Sequence, residues 1–204
     1  MSAGLEAQKA ELRSRMRIVL SGAAAARTDR SMQACARLER QRIWQDARSI
    51  LFFAPLPAEP DVWPMLERSL VAGRTVALPR FSTATQSYEA AQIRDLGRDV
   101  CAGRFGIREP AARCARIPLD QLQLVLVPGM AFDPGGHRLG RGKGFYDRML
   151  AGVRGVKCGV AFDEQMVAAV PAGPQDMRVD FILTPARWIE IPARNPGSDF
   201  SGPA

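Results

Sequence analysis

The chain has 204 residues, of which 47% are hydrophobic, and 28 basic against 21 acidic residues give a formal net charge of +7. This length fits one α/β domain, and the apolar fraction is sufficient for a buried core. No apolar run approaches the about 20 residues that cross a bilayer. The first residues mix acids with bases and contain no apolar signal core. We therefore expect a cytoplasmic protein with no membrane partner.

The positive charge is spread along the chain. Arginines occur from Arg13 to Arg194 without a dense run, and few aromatic residues stand between them, so a nucleic-acid-binding surface is not favoured. Only three lysines occur, Lys9, Lys143 and Lys157. Lysine is a compact point charge and arginine a planar fork, so these lysines are candidates for specific roles. The four cysteines show no C-x-x-C spacing, which favours free thiols over a metal or disulfide framework.

Hydrophobic periodicity predicts the elements in chain order. The first helix has Val19 among its inward residues, and the second has Met32. Residues 105–110 are expected to form a defined loop, and the proline-punctuated tail, residues 192–204, to be disordered after a single domain of residues 1–191. Helices are predicted over residues 5–26, 28 or 29 to about 43, 61–72, 145–153 and 163–169, and strands over 49–53, 75–78, 87–93, 122–127, 156–162 and, as the last strand, 181–184.

Strands that alternate with helices predict a mainly parallel sheet flanked by helices on both faces, a Rossmann-like three-layer architecture. Ligands of such sheets bind at the carboxyl ends of the strands. The most distinctive segment of the chain, residues 128–150, directly follows the strongest predicted strand, residues 122–127. The site is therefore expected at this end of the sheet.

This segment combines glycine with positive charge. Five glycines lie between positions 135 and 144, interleaved with Arg138, Arg141 and Lys143. Glycine allows backbone amides to approach an anion closely, and a following helix adds its positive end, so the pattern favours phosphate. A structural hairpin loop also fits it. The order of residues excludes a Walker A loop, because Lys143 is followed by Gly144, and the dinucleotide fingerprint, because the glycine spacing and the later acid do not match.

The whole string VPGMAFDPGGHRLGRGKGFYDRML (residues 127–150) resembles the signature of the 5-formyltetrahydrofolate cyclo-ligase family, PG-x-x-FD-x-x-G-x-RLGRG-x-G-[YF]-YDR. Other segments agree in order, among them SILFF at residues 49–53, TVALPR at 75–80, FGIREP at 105–110, GVAFDEQ at 159–165 and DMRVD at 176–180. The resemblance covers residues 9–185.

The resemblance implies an ATP- and Mg²⁺-dependent closure of 5-formyltetrahydrofolate to 5,10-methenyltetrahydrofolate, with release of ADP and phosphate. A formamide carbonyl is a poor electrophile, so the family phosphorylates its oxygen, and N10 of the folate then attacks the carbon. Such a reaction needs positioning and neutralisation of charge more than acid–base groups. This requirement suits a chain with one histidine.

The resemblance also assigns the site. Arg141 and Lys143 are expected near the transferring group as catalytic residues, and Asp147 and Asp176 are expected to bind Mg²⁺. The residues expected to bind ATP are Lys9, Arg13, Arg138, Leu139, Gly140, Arg141, Gly142, Lys143, Gly144, Phe145 and Tyr146. Those expected to bind the folate are Phe53, Ala54, Glu59, Arg141, Gly142, Lys143, Gly144 and Phe145.

Some positions depart from the family or keep other interpretations. Phe145 replaces the first tyrosine of a common pair, and Gln175 stands where many relatives have histidine. Asp133 is interpreted as a turn former and His137 as a solvent-exposed residue. Two other functions stay open: an ATP-dependent enzyme for another formyl or acyl substrate, and a basic nucleic-acid-binding module. The expected partners are ATP and a folate, and the expected state is a monomer.

Overall fold

The computed structural model describes residues 2–22, 26–103 and 106–192. This part of the chain contains six α-helices and twelve strands. The helices are α1 (Ser2–Gly22), α2 (Arg27–Glu39), α3 (Arg42–Asp46), α4 (Trp63–Val71), α5 (Leu96–Asp99) and α6 (Phe145–Leu150). The strands are β1 (Ser49–Leu51), β2 (Thr75–Ser82), β3 (Ser87–Ile93), β4 (Val100–Ala102), β5 (Arg108–Pro110), β6 (Arg116–Ile117), β7 (Leu124–Val127), β8 (Ala131–Phe132), β9 (Arg138–Leu139), β10 (Val156–Val160), β11 (Phe181–Leu183) and β12 (Trp188–Glu190).

Eight of these strands form one sheet in the order β12-β11-β10-β7-β1-β2-β3-β6. The five central strands, from β11 to β2, are parallel to one another. Antiparallel strands are added at both edges, β12 on one side and β3 with β6 on the other. The predicted mainly parallel sheet is confirmed.

The two faces of this sheet are covered by different helices. Along β7, Leu124 and Leu126 belong to one apolar cluster, and Val125 and Val127 belong to another. The first cluster includes Leu38 from α2, and the second includes residues of α6. A strand that is apolar on both faces is expected for a sheet between two helical layers, so the predicted three-layer α/β architecture is confirmed.

Helix α1 packs on the segment that contains the glycine turn. Leu12, Met16 and Leu20, spaced four residues apart, form a buried cluster with Met130 and Leu139 of the β8–β9 hairpin region. This spacing places the three side chains on one face of the helix. The consequence for the site is that the helix face carrying Lys9 and Arg13 is held against this hairpin.

Several predicted boundaries are wrong. The predicted second helix is divided into α2 and α3, and residues 163–169 contain only a short 3₁₀ turn at Asp163–Gln165. Residues 108–110, predicted as part of a loop, form β5, and β12 follows the strand predicted to be the last. These strands have three residues each, too few to show a period of two. Val19 and Met32 are also exposed, at 39% and 56%.

Helix α6 ends earlier than predicted, at Leu150. The chain turns there because the amide of Gly152 bonds to the carbonyl of Met149. A side chain at Gly155 would approach the carbonyl oxygen of Leu122 to 2.1 Å, so the backbone passes close to β7 before β10 begins. The helix therefore has six residues.

No helix in the described ranges is long and apolar enough to cross a membrane. The predicted start of the tail at residue 192 stays a prediction, since residues 193–204 lie outside the described part of the chain, as do residues 23–25 of the predicted first helix and Phe105 of the predicted loop.

Candidate active site

A cavity of about 380 Å³ opens at the carboxyl ends of β1 and β7. Ala54 and Leu56 follow β1 into its wall, and Pro128 and Gly129 follow β7. This position is the one predicted for a ligand of a parallel sheet. The other residues that line the cavity are Glu59, Pro79, Tyr88, Ile107, Arg108, Glu109, Arg138, Gly140, Arg141, Lys143, Gly144, Phe145, Tyr146 and Asp147.

The glycine turn follows a hairpin and forms the cationic side of the cavity. The β8–β9 hairpin is closed by Asp133, whose carboxylate accepts the amide of His137 at 3.0 Å, so the interpretation of Asp133 as a turn former is confirmed. The side chain of His137 is 30% exposed. Beyond β9, Gly142 and Gly144 have φ values of +100° and +63°, which other residues rarely adopt. Because α6 has only six residues, we attribute attraction for an anion mainly to the neighbouring side chains.

Helix α1 supplies two cations to the back of this turn. Nε of Arg13 donates a hydrogen bond to the carbonyl of Gly140 at 3.0 Å. A β-carbon at Gly142 would lie 3.3 Å from the guanidinium carbon of Arg13, so the two groups are already in contact. Nζ of Lys9 donates to both carboxylate oxygens of Asp176, at 2.9 and 2.7 Å. The helix, the turn and the segment around residue 176 are thereby joined.

The two carboxylates assigned to Mg²⁺ are neighbours. Asp147 Oδ1 accepts hydrogen bonds from Arg138 Nη2 at 2.8 Å and from the amide of Met177, the residue after Asp176, at 3.3 Å. Burial works to raise the pKa of Asp176, but the amide of Gly173 and the ammonium of Lys9 outweigh it and lower that pKa. The side chain of Asp176 is therefore suited to remain anionic at neutral pH.

Arg138 connects these carboxylates with the cavity. Its side chain is only 3% exposed, its guanidinium lies 5.6 Å from the centre of the Tyr146 ring, and it lines the cavity. Its Nε is buried and has no hydrogen-bond partner among the described residues. A buried donor without a partner costs free energy, and an anionic ligand would supply one.

Glu59 forms the acidic side of the cavity. Its side chain is 8% exposed, and it accepts hydrogen bonds from the amide of Leu56 at 3.0 Å and from Arg141 Nη2 at 3.2 Å. Burial raises the pKa of Glu59, and both hydrogen-bond donors oppose this rise. Burial, together with the negative charge of Glu59, also raises the pKa of Tyr146.

An aromatic wall completes the cavity. The ring of Phe145 lies edge-on to Phe81 and to Tyr88, with centroid distances of 5.2 and 5.5 Å. Tyr88 is also 6.0 Å from Tyr146. Edge-to-face arrangements are favourable for aromatic pairs, so Phe145 keeps a packing role without a hydroxyl.

Most predicted site residues line the cavity, but six do not. Phe53 is 1% exposed and packs in the core, so its ring lies outside the cavity wall. Leu139 is buried against α1, and Gly142 contacts Arg13 instead. The other three, Lys9, Arg13 and Asp176, lie against or behind the glycine turn.

The donor set fits Mg²⁺ bound together with a phosphate ligand. Within the described ranges, no group of three or more His, Cys, Asp or Glu side chains is placed to hold a metal ion. Mg²⁺ is commonly bound through one or two carboxylates plus the phosphates of a substrate. The adjacent Asp147 and Asp176 can provide these two carboxylates.

Sequence reasoning missed three residues of the cavity that carry polar or aromatic groups: Tyr88, Arg108 and Glu109. Tyr88 lies on β3, which was predicted with its observed bounds, but cross-strand neighbours are not visible in a single strand. Arg108 and Glu109 lie in the segment interpreted as a loop. A buried acid between Arg108 and Pro110 could have been suspected only from the apolar residues around it.

The fold and the cavity define a three-layer α/β protein with a glycine-rich, cationic cavity at the carboxyl ends of its strands. The sequence profile of the 5-formyltetrahydrofolate cyclo-ligase family matches residues 5–185. The chain therefore belongs to the 5-formyltetrahydrofolate cyclo-ligase family, and it is an enzyme of that family.

Individual relatives agree with this assignment. The chain is 32% identical to a 5-formyltetrahydrofolate cyclo-ligase of Mycolicibacterium smegmatis over 70% of its length and 76% of the relative. It is 30% identical to the enzyme of the same name from Escherichia coli, over 71% of the chain and 81% of the relative. The NMR structure of Aquifex aeolicus 5,10-methenyltetrahydrofolate synthetase superposes with a TM-score of 0.82 at 26% identity, covering 95% of this chain and 98% of the other.

Proposed function

We propose that this enzyme converts 5-formyltetrahydrofolate to 5,10-methenyltetrahydrofolate, with ATP as co-substrate and Mg²⁺ as metal cofactor. The observation that carries the proposal is the hydrogen bond between Arg141 and Glu59 in one cavity. Arg141 belongs to the turn assigned to ATP, and Glu59 is the acid assigned to the folate. Their contact supports a site in which the phosphoryl donor and the formyl group meet.

The reaction proceeds in two steps. The formyl oxygen of the folate attacks the γ-phosphorus of ATP, an oxygen–phosphorus bond forms, and ADP leaves. N10 then attacks the activated formyl carbon and loses its proton to solvent. The carbon–oxygen bond breaks, and the oxygen leaves as part of inorganic phosphate.

The residues of this chain provide positioning and charge neutralisation. Arg141 and Lys143 line the cavity and neutralise the charge that spreads over the transferring phosphoryl group. Arg138, with its buried Nε, binds phosphate oxygen at the base of the turn. Lys9 and Arg13 hold α1 against the turn and add positive potential from behind.

The folate lies against the aromatic wall. Phe145 and Tyr146 pack on its ring system, and Ala54 leaves room for it beside the end of β1. Glu59 accepts hydrogen bonds from the ring and, through Arg141, remains attached to the phosphate-binding turn. Phe53 packs in the core behind this surface, and its contact with the folate stays a prediction.

Asp147 and Asp176 are the residues that would hold Mg²⁺, together with phosphate oxygens. Bound there, the ion would screen the negative charge of the triphosphate and favour transfer of its terminal group. In the structure these carboxylates also accept hydrogen bonds from Arg138 and Lys9, so the same cations lie beside both the metal ligands and the phosphate site.

The test uses the purified protein with 5-formyltetrahydrofolate, ATP and Mg²⁺, and follows the absorbance of the methenyl product together with ADP. We expect product and ADP in a one-to-one ratio, and no product when ATP is omitted or the metal is chelated. ADP formation that depends on a different formyl or acyl compound, with no methenyl product, would favour the alternative substrate class. The monomeric state, the cytoplasmic location and the absence of a nucleic-acid partner stay predictions from the sequence.

A further inference from the structure

A second buried carboxylate lines the cavity and has no part in the mechanism above. Glu109, on β5, is only 6% exposed, and it lies in the cavity wall together with Ile107, Pro79 and Tyr88. Glu59 enters the cavity from the segment after β1, so the two acids come from different elements of the fold.

The position of Glu109 is fixed by its surroundings. Its Oε2 accepts the amide of Phe81 at 3.2 Å. Across the β4–β5 hairpin, a β-carbon added at Gly103 would lie 2.5 to 2.7 Å from the side-chain carbons of Glu109. The amide of Gly103 also closes this turn on the carbonyl of Ile107 at 2.8 Å. The chain thus omits a side chain at position 103, where any other residue would displace the carboxylate.

Burying a carboxylate beside apolar and aromatic side chains has a large desolvation cost, which hydrogen bonds to the charged group must offset. A carboxylate that lines a ligand cavity can receive such bonds from the ligand. The rings of Tyr88 and Phe145, which pack edge to face with an interplanar angle of 88°, give the cavity an aromatic wall. A planar heterocycle with N–H donors on its edge fits both features.

We propose that Glu109 is a substrate-binding residue that accepts hydrogen bonds from the exocyclic amino group, and from the adjacent ring nitrogen, of the folate ring system. The assignment rests on the proposed function and names the group that selects a 2-amino heterocycle. Both buried acids then contact the ring system: Glu59 also holds the phosphate-binding turn through Arg141, and Glu109 recognises the edge that carries the 2-amino group.

The first test is Glu109→Gln, which keeps the size and removes the charge. A charge-assisted hydrogen bond contributes about 1.5–3 kcal/mol, so we expect KM for 5-formyltetrahydrofolate to rise about 10- to 150-fold. KM for ATP should change less than about twofold, since the phosphate-binding turn is untouched. Glu89→Gln is the matched control, because Glu89 lies on β3, is ion-paired to Arg80 and is absent from the cavity wall; its folate KM should stay close to that of the wild type.

The second test distinguishes a direct contact between Glu109 and the 2-amino group of the substrate from a purely structural role of Glu109. In an analogue whose 2-amino group is replaced by methyl, the wild type should lose affinity, but Glu109→Gln should lose little beyond its own defect. Gly103→Ala, which displaces the carboxylate without removing it, should raise the folate KM in the same direction. The midpoint of thermal unfolding is measured for each variant to confirm that it is folded.

The results that would overturn the assignment of Glu109 differ from the result that would overturn the proposed function. An active wild type with an unchanged folate KM in Glu109→Gln would overturn the assignment, as would equal losses for the natural substrate and the analogue in wild type and variant. A parallel rise in the ATP KM would also overturn it, because that result indicates a general structural defect. A wild type that does not turn over 5-formyltetrahydrofolate would instead overturn the proposed function.

Discussion

Arg141 and Glu59 are 82 positions apart in the sequence, and their side chains meet at 3.2 Å. Arg141 is 53% exposed at the side chain, whereas Glu59 is 8% exposed. The contact therefore joins an exposed cation of the glycine turn to a buried acid. In the proposed function, Arg141 belongs to the ATP site and Glu59 to the folate site, and the variants below test these two assignments separately.

Lys143→Ala should reduce kcat at least about 100-fold, because it removes a positive charge from the proposed position of the transferring phosphoryl group. The midpoint of thermal unfolding should change little, since Lys143 is an exposed residue of the turn. Lys157→Ala is the matched control: it removes the same charge from β10, outside the cavity wall. Equal activity of the two variants would remove Lys143 from the mechanism.

Glu59→Gln should weaken folate binding and yet stabilise the protein. Burial raises the pKa of Glu59, so the folded state holds this proton more tightly than the unfolded state does. The stability of the wild type therefore falls as pH rises from the ordinary carboxyl range through the raised pKa.

The Glu59→Gln variant has no group that ionises at this position, so its stability does not fall in this way as the pH rises. At neutral pH we expect it to be more stable by about 1 kcal/mol, or about 2–4 °C in Tm, with a folate KM about 10-fold higher. Unfolding followed across the acidic to neutral range tests the first effect, and steady-state kinetics test the second. A variant that is less stable than the wild type at neutral pH would contradict this account of Glu59.

Asp176→Asn should destabilise the protein, since Lys9, 11% exposed at its side chain, loses its carboxylate partner. The expected cost is about 1–3 kcal/mol in the free energy of unfolding. The pKa of Asp176 is lowered in the folded state, so this stabilisation is present above the ordinary carboxyl range and is lost as pH falls through the lowered pKa.

Urea unfolding at neutral pH and at successively lower pH measures the effect. The difference between wild type and Asp176→Asn should shrink with acid. Glu6→Gln provides the control, because Glu6 lies 3.8 Å from Lys9 but is 63% exposed, and such pairs contribute about 0–1 kcal/mol. A difference that is constant with pH would contradict the linkage.

Gly142→Ala should raise KM for ATP about 10-fold or more. Alanine is strained at a φ of +100°, and its β-carbon would press on the guanidinium of Arg13 at 3.3 Å. Gly73→Ala is the control for strain alone, since Gly73 has a φ of +72° and nothing within 4 Å of the added carbon. If both variants bind ATP like the wild type, the fit between α1 and the turn does not matter for the nucleotide.

Patterns within one segment predict single elements, but they do not predict contacts between segments that are distant in the sequence. The strand at residues 87–93 was predictable from its own segment of the sequence. The parallel sheet was predictable from the alternation of predicted strands and helices along the chain. The packing of α1 on the β8–β9 hairpin was not, since Leu12 and Leu139 are brought together by tertiary structure alone. The family signature covers the turn, where residues are close in sequence, and Tyr88 and Glu109 reach the cavity from strands without a distinctive pattern.

The same reason explains Phe53 and Ala54. Successive residues of an extended segment point to opposite sides, and the sequence does not reveal which one faces the ligand. In the structure Ala54 lines the cavity and Phe53 packs in the core. Ala54 is therefore open to a ligand in the cavity and the ring of Phe53 is not, and their contacts with the folate stay predictions.

The central claim is that the formyl oxygen is phosphorylated and leaves with phosphate. The most direct measurement uses 5-formyltetrahydrofolate labelled with ¹⁸O at the formyl group, ATP and Mg²⁺ with the purified enzyme, and determines the mass of the phosphate released. We predict that each phosphate formed carries one ¹⁸O atom. Methenyl product accompanied by unlabelled phosphate, with the label in water, would contradict the account.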